Sequence, residues 1–220
     1  DLISAPVIDD QNNLLGRITF DDVIDEIKSE ADESLRQISG IDSDTFEKTS
    51  TAIKTRGFWL GTNLITALIA ASVINIFKET LEQVIFLAVL MPIIASMGGV
   101  AATQTLTITV RGLALGQIVR ANYLYIFNRE LIVGVSNGFI WAVILSLIAC
   151  SWFQDWLLAW VICLSMIINL VAGVLSGMGI PILLKSLKMD PAVAGSVIVT
   201  TVTDVIGFFS FLGLAAYFYS

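Results

Sequence analysis

Five apolar runs, at 57–77, 84–110, 131–153, 156–184 and 191–219, constrain this chain more than any other feature. Each is close to the roughly 20 residues an α-helix needs to cross the hydrocarbon core of a bilayer. Lipid offers backbone groups no hydrogen bonds, so apolar runs of this length must satisfy their own N–H and C=O groups as helices. The expected fold is an all-α integral membrane protein with five transmembrane helices. Composition agrees, because 56% hydrophobic and 14% charged residues are too apolar and too charge-poor for an ordinary soluble domain. Aromatic residues Trp59, Tyr123, Tyr125, Trp152, Trp156, Trp160, Tyr217 and Tyr219 gather at the ends of the runs, as in interfacial belts.

The net charge of −7 hides a segregation: residues 1–50 hold 13 acids against 4 bases, and the rest hold 6 against 8. Lys48, Lys54 and Arg56 precede the first run, Arg111, Arg120 and Arg129 follow the second, and Lys185 and Lys188 follow the fourth, whereas the opposite loops hold Lys78 alone. The positive-inside rule then predicts a cytoplasmic N-terminal region and an outward C-terminus.

Upstream of the spans, "SAPVID", the polar turn "DQNN", "LLGRITF" and "DDVIDEIKSE" read as strand, turn, strand and helix, with Thr19 or Asp21 placed to cap the helix. Two strands and one helix cannot bury a core alone, so residues 1–24 are expected to be the tail of a larger domain with a portion missing upstream. No basic stretch followed by an apolar stretch marks a signal peptide there. Residues 25–56 form an acidic connector with sparse apolar positions, and 57–220 the membrane domain.

Chemistry-bearing residues are few. The chain has no histidine, which excludes histidine-ligated metals, Ser-His triads and histidine proton relays. Cys150 and Cys163 have neither metal nor disulfide spacing and read as buried small hydrophobes. Asp204 stands out: it interrupts the fifth run near mid-bilayer, where a charge costs several kcal/mol, and no Lys or Arg lies within a run to pair with it. Thr200, one turn earlier, shares its face. Either Asp204 is held protonated between helices or it belongs to an ion or proton pathway.

The second run holds Pro92 and the pair Gly98 and Gly99, followed by Val100, Ala101, Ala102, Thr103, Gln104, Thr105, Thr107 and Thr109. These residues are expected to break or kink the helix beside a polar path, or else to allow close helix packing through small side chains. Asp190 before Pro191 reads as an N-cap. A divalent-ion role for Asp190 needs further acids, which the connector holds as Asp22, Asp25, Glu26, Glu30, Asp32 and Glu33; hard cations take such oxygen ligands.

"MPIIASMGGVAATQTLTITVRGLALGQI" followed by "KMDPAVAGSVIVTTVTDVIGFF" resembles the MgtE family of magnesium channels, and "VIDDQNNLLGRITFDDVIDEI" resembles the end of a CBS domain. The resemblance covers nearly the whole chain in family order. It implies a homodimeric, Mg²⁺-selective channel of the bacterial inner membrane, with the pore at or near the dimer axis and a cytoplasmic regulatory region. By residue, it implies that Asp204 lines the pore and recognises hydrated ion, with Thr200, Gly98, Gly99, Val100 and Gln104 around it. It also implies that Asp190 binds regulatory Mg²⁺ against Asp22, Asp25, Glu30 and Glu33 of a connecting plug helix that closes the pore when cytosolic Mg²⁺ is high. Where the family usually reads GGNAG this chain has Val100 in place of the asparagine, so the family's ion preference is not carried over at that position.

Mg²⁺, both transported and regulatory, is thus the only cofactor expected; the partners expected are a second copy, the lipid bilayer and related divalent cations, with no nucleic acid. Two other functions fit the residues: a cation exchanger coupled to Na⁺ or H⁺, with Asp204 as protonation site, and a non-conducting membrane sensor of divalent ions. No nucleophile motif or phosphate loop supports an enzyme.

Overall fold

The computed structural model describes residues 3–27, 29, 48–188 and 195–219. At the N-terminal end, β1 (Ser4–Ile8) pairs antiparallel with β2 (Leu14–Thr19). The register runs Ser4 to Thr19 through Val7 to Gly16, and a bulge falls between Val7 and Ile8. Asp9 organises the turn: its carboxylate accepts from the Gln11 and Asn13 amides and from Asn13 Nδ2, while Asn12 takes the left-handed φ of 67° that asparagine tolerates. The helix at 20–27, α1, begins with half of a capping box. Asp22 accepts at 2.7 Å from both the Thr19 amide and Thr19 Oγ1. Most apolar side chains of this hairpin, including Ile3, Leu14 and Leu15, are exposed, in keeping with two strands that bury no core of their own.

Five helices are long and apolar enough to cross a membrane. They are α2 (Thr49–Ile76), α4 (Phe86–Ala114), α5 (Tyr123–Phe153), α6 (Trp156–Ser186) and α7 (Gly195–Tyr219), with the short α3 (Lys78–Gln83) between the first two. Their number and order match the apolar runs; several ends do not. Helix α2 starts eight residues before 57, because "TSTAIKTR" holds no glycine or proline to stop it. Helix α5 likewise starts at Tyr123 and carries Arg129 and Glu130 on its first turns, Glu130 buried and its Oε1 3.9 Å from Arg129 Nη1.

The expected interruption of the second span is absent: α4 is helical throughout, with Pro92 inside it. Proline there removes one ladder hydrogen bond, and the glycine pair is held helical by neighbours. Gly98 meets the Asn169 side chain of α6, and Gly99 faces Thr200 of α7.

Helix α6 is the centre of the bundle, packing on α4, α5 and α7, while α2 packs chiefly on α7. In lipid the hydrophobic effect does not drive helices together, so close van der Waals contact must. Three positions of α4 spaced by four, Gly98, Ala102 and Leu106, meet three of α6 with the same spacing, Asn169, Gly173 and Gly177. A Cβ on Gly177 would stand 2.5 Å from the Ala102 carbonyl oxygen, and one on Gly173 would stand 2.9 Å from that of Gly98. Near the α5–α6 turn a denser apolar cluster of Leu87, Leu90, Ile94, Leu158, Ile162, Phe211 and Leu212 closes the same helices.

At that turn Asp155 caps α6, its Oδ1 accepting from the Leu157 and Leu158 amides, and Tyr219 Oη donates to its Oδ2 at 2.5 Å. Burial raises the Asp155 pKa, but the hydrogen bonds from Tyr219, Leu158 and Leu157 together outweigh it, and the net shift is downward. The end of α7 is thereby tied to the start of α6.

Candidate functional site: a polar groove between α4 and α7

Helical periodicity places Ser96, Gly99, Val100, Thr103, Gln104, Thr107 and Ile108 on one stripe of α4. That stripe, with Thr200 and Asp204 from α7, lines an open groove of about 850 Å³. Val100 is 52% exposed into it, so the position at which the chain departs from GGNAG is a lining position.

Three hydroxyls along the groove, those of Thr103, Thr107 and Thr200, donate to their own helices, while Ser96 and the Gln104 amide also line it. Thr103 Oγ1 donates to the Gly99 carbonyl and Thr107 Oγ1 to that of Thr103, both at 2.9 Å, and Thr200 Oγ1 donates to the Val197 carbonyl at 3.1 Å. Each hydroxyl has one proton. For Thr103 and Thr107, whose proton is given to the helix, the oxygen is left as an acceptor only. Asp204, half-buried, adds a carboxylate, and among the described residues no cation or hydrogen-bond donor lies on it. A surface of acceptor oxygens around one carboxylate attracts cations, or the hydrogens of a cation's water shell.

Of the residues expected at the pore, Asp204, Thr200, Gly99, Val100 and Gln104 come together. Gly98 does not: it is buried on the opposite side of α4, against Asn169. The helix is not interrupted, but the small and the polar residues of the second span separate onto different faces of it. Gly98, Ala102 and Leu106 make the close packing, and Gly99, Val100, Thr103 and Gln104 make the polar path. Sequence reading overlooked Asn169, a polar residue in the middle of an otherwise apolar span, which was itself the available signal.

Of the residues expected to bind regulatory Mg²⁺, only Asp22 and Asp25 are among the described residues. Asp190, Glu30 and Glu33 lie outside the described residues. Asp22 is engaged by Thr19, whose side-chain and backbone hydrogen bonds lower its pKa, and Asp25 is exposed on α1. Among the described residues no three Cys, Asp or Glu side chains are grouped to hold a metal ion.

The MgtE family model, described as a divalent cation transporter, matches residues 91–214, from within α4 to near the end of α7. This chain belongs to the MgtE family. Among the proteins it is similar to are three named magnesium transporter MgtE. That of Bacillus subtilis (strain 168) is 33% identical over 220 residues, covering 99% of this chain and 49% of the relative. Those of Enterococcus faecalis and Thermus thermophilus are 30% and 29% identical, each covering 48% of the relative. The chain thus spans about half the length of these MgtE relatives. The family match contains every described groove residue, Asp204 included.

Proposed function

We propose that this chain forms the membrane part of a Mg²⁺ transporter of channel type, with hydrated Mg²⁺ passing along the α4–α7 groove. The observation that carries this is Asp204, a carboxylate on a membrane span that lines one groove with the Thr103 and Thr107 hydroxyls of α4, both of which donate to their own helix. Mg²⁺ gives up its waters reluctantly and is held through them as often as directly, so a wide path of acceptor oxygens suits it better than a tight cage. Similarity to proteins named magnesium transporter MgtE supports the choice of ion.

In this proposal the groove, lined by only two helices of one copy, is completed by the same face of a second copy about a two-fold axis. Two Asp204 carboxylates near that axis repel one another when ionised, and a divalent cation between them relieves the repulsion. Regulation belongs to the proposal as well. The acidic segment with Asp22, Asp25, Glu30 and Glu33 repels itself at low cytosolic Mg²⁺, and at high Mg²⁺ it is bridged to Asp190 and closes the path. Support for this part is the charge segregation of residues 1–50 alone.

The test is ion flux into liposomes holding purified protein, with Mg²⁺, Ca²⁺, Mn²⁺ and Na⁺ compared, and with Na⁺ and pH gradients imposed in turn. Wild type is expected to pass Mg²⁺ without either gradient. Asp204→Asn is expected to lower Mg²⁺ flux at least about tenfold, equivalent to ~1.4 kcal/mol at one site. Unchanged flux and selectivity in Asp204→Asn would overturn the assignment, and flux that required a Na⁺ or H⁺ gradient would establish a coupled exchanger instead.

A further inference from the structure

On the face of α4 turned away from the groove, one polar side chain stands where three helices meet. Asn169, in the middle of α6, is 1% exposed. Its Nδ2 donates to the Ile94 carbonyl of α4 at 2.8 Å, and its Oδ1 has no hydrogen-bond partner. Two glycines make the space it fills. A Cβ on Gly207 of α7 would stand 2.7 Å from Asn169 Nδ2 and 3.0 Å from Cγ, and one on Gly98 of α4 would stand 2.6 Å from Cγ and 2.8 Å from Oδ1. Any side chain at either position therefore forces the amide or a helix to move. The absence of a Cβ at each glycine is what lets the amide sit between the two helices.

A buried amide oxygen without a donor is destabilising, and an apolar side chain of the same size would fill the site without that penalty. Stability alone thus does not explain an asparagine here. Its neighbours do: α4 and α7 are the helices that line the groove, Gly98 immediately precedes Gly99 and Val100, and Gly207 follows Asp204 by three residues.

We propose that Asn169 is the positioning residue of the ion path, its amide fixing the spacing of α4 and α7 and hence the width between the Val100–Gln104 stripe and Asp204. This rests on reading the groove as an ion path. Hydrated Mg²⁺ keeps a rigid octahedral shell, whereas Ca²⁺ accepts variable coordination. A change in groove width therefore acts on Mg²⁺ more than on Ca²⁺, and Asn169 determines specificity without touching the ion.

The experiment compares wild type, Asn169→Leu, Asn169→Ala, Gly207→Ala and Asn169→Ala/Gly207→Ala in liposomes, with Leu158→Ala of the apolar cluster as a packing control. Asn169→Leu keeps the branching at Cγ and the number of side-chain heavy atoms and removes the amide; it is expected to conduct with a Mg²⁺-to-Ca²⁺ flux ratio at least about threefold lower. Gly207→Ala is expected to lose Mg²⁺ flux, and the double variant to regain it, because the truncated residue 169 vacates the space the new Cβ needs. Leu158→Ala is expected to lower the melting temperature and leave the ratio alone. An unchanged ratio in Asn169→Leu, or no recovery in the double variant, would overturn the proposal. Should wild type pass no divalent cation, the groove reading fails separately, and the seating of the Asn169 amide between α4 and α7 is judged by melting temperatures in detergent. Non-additive effects of the 169 and 207 substitutions then support it, and additive ones refute it.

Discussion

Val100 shows how much one side chain settles in this groove. It lies beside Thr103 and Gln104 and is open to the groove, yet its side chain can make no hydrogen bond there. Val100→Asn is expected to raise Mg²⁺ flux and the Mg²⁺-to-Ca²⁺ ratio, measured in the same liposomes as Asp204→Asn, since an amide adds a donor and an acceptor where only methyl groups now face the path. At the other residue pair with a decisive hydrogen bond, Tyr219→Phe is expected to lower stability by about 1 kcal/mol at neutral pH, read as a lower melting temperature in detergent. The Asp155 pKa is depressed below its ordinary 3.8, so the stability linked to its ionised form is fully present above that value. It is lost as pH falls from there through the depressed pKa. The difference between wild type and Tyr219→Phe is therefore expected to shrink in that acidic window and to be constant above it.

Among the elements, α4 does two jobs because 3.6 residues per turn separate its faces. Residues 98, 102 and 106 go to α6, and residues 99, 100, 103, 104 and 107 go to the groove. Sequence supplied both sets and no means of dividing them, since small residues and threonines are interleaved and only the position of α6 tells which side is covered. The contact is tight enough to test. Gly177→Ala sets a Cβ 2.5 Å from the Ala102 carbonyl and is expected to cost about 1–3 kcal/mol through forced separation of the backbones, visible as reduced thermal stability. The same change at Gly179, whose Cβ position meets nothing, is expected to be tolerated.

For the molecule as a whole, orientation follows from where the basic residues are, and it is open to direct measurement. Cysteines placed at Gln117 and Lys78, in the connections at the two ends of α4, are expected to react with a membrane-impermeant maleimide from the cytoplasmic and the outer side respectively. The native Cys150 and Cys163, both only partly exposed and within α5 and α6, give the background against which labelling is read. Reaction of both new cysteines from one side would refute the single crossing, by α4, that separates them.

Sequence by itself determined the five spans, their order and the exceptional status of Asp204, because bilayer thickness and the cost of a charge in lipid are properties of the solvent and act on each segment separately. The family resemblance, carried by "MGGVAA" and "TDVIGFF", pointed to the same two helices that line the groove. Tertiary structure alone decided the rest. It kept α4 whole despite Pro92, Gly98 and Gly99, turned Gly98 away from the path, and brought Asn169 between Gly98 and Gly207 across intervals of 71 and 38 residues in the sequence. These outcomes depend on which surfaces meet. In a bilayer, where most of each helix surface is apolar, the meeting surfaces are chosen by the fit of small side chains and a few buried hydrogen bonds, and neither is visible until the helices are packed.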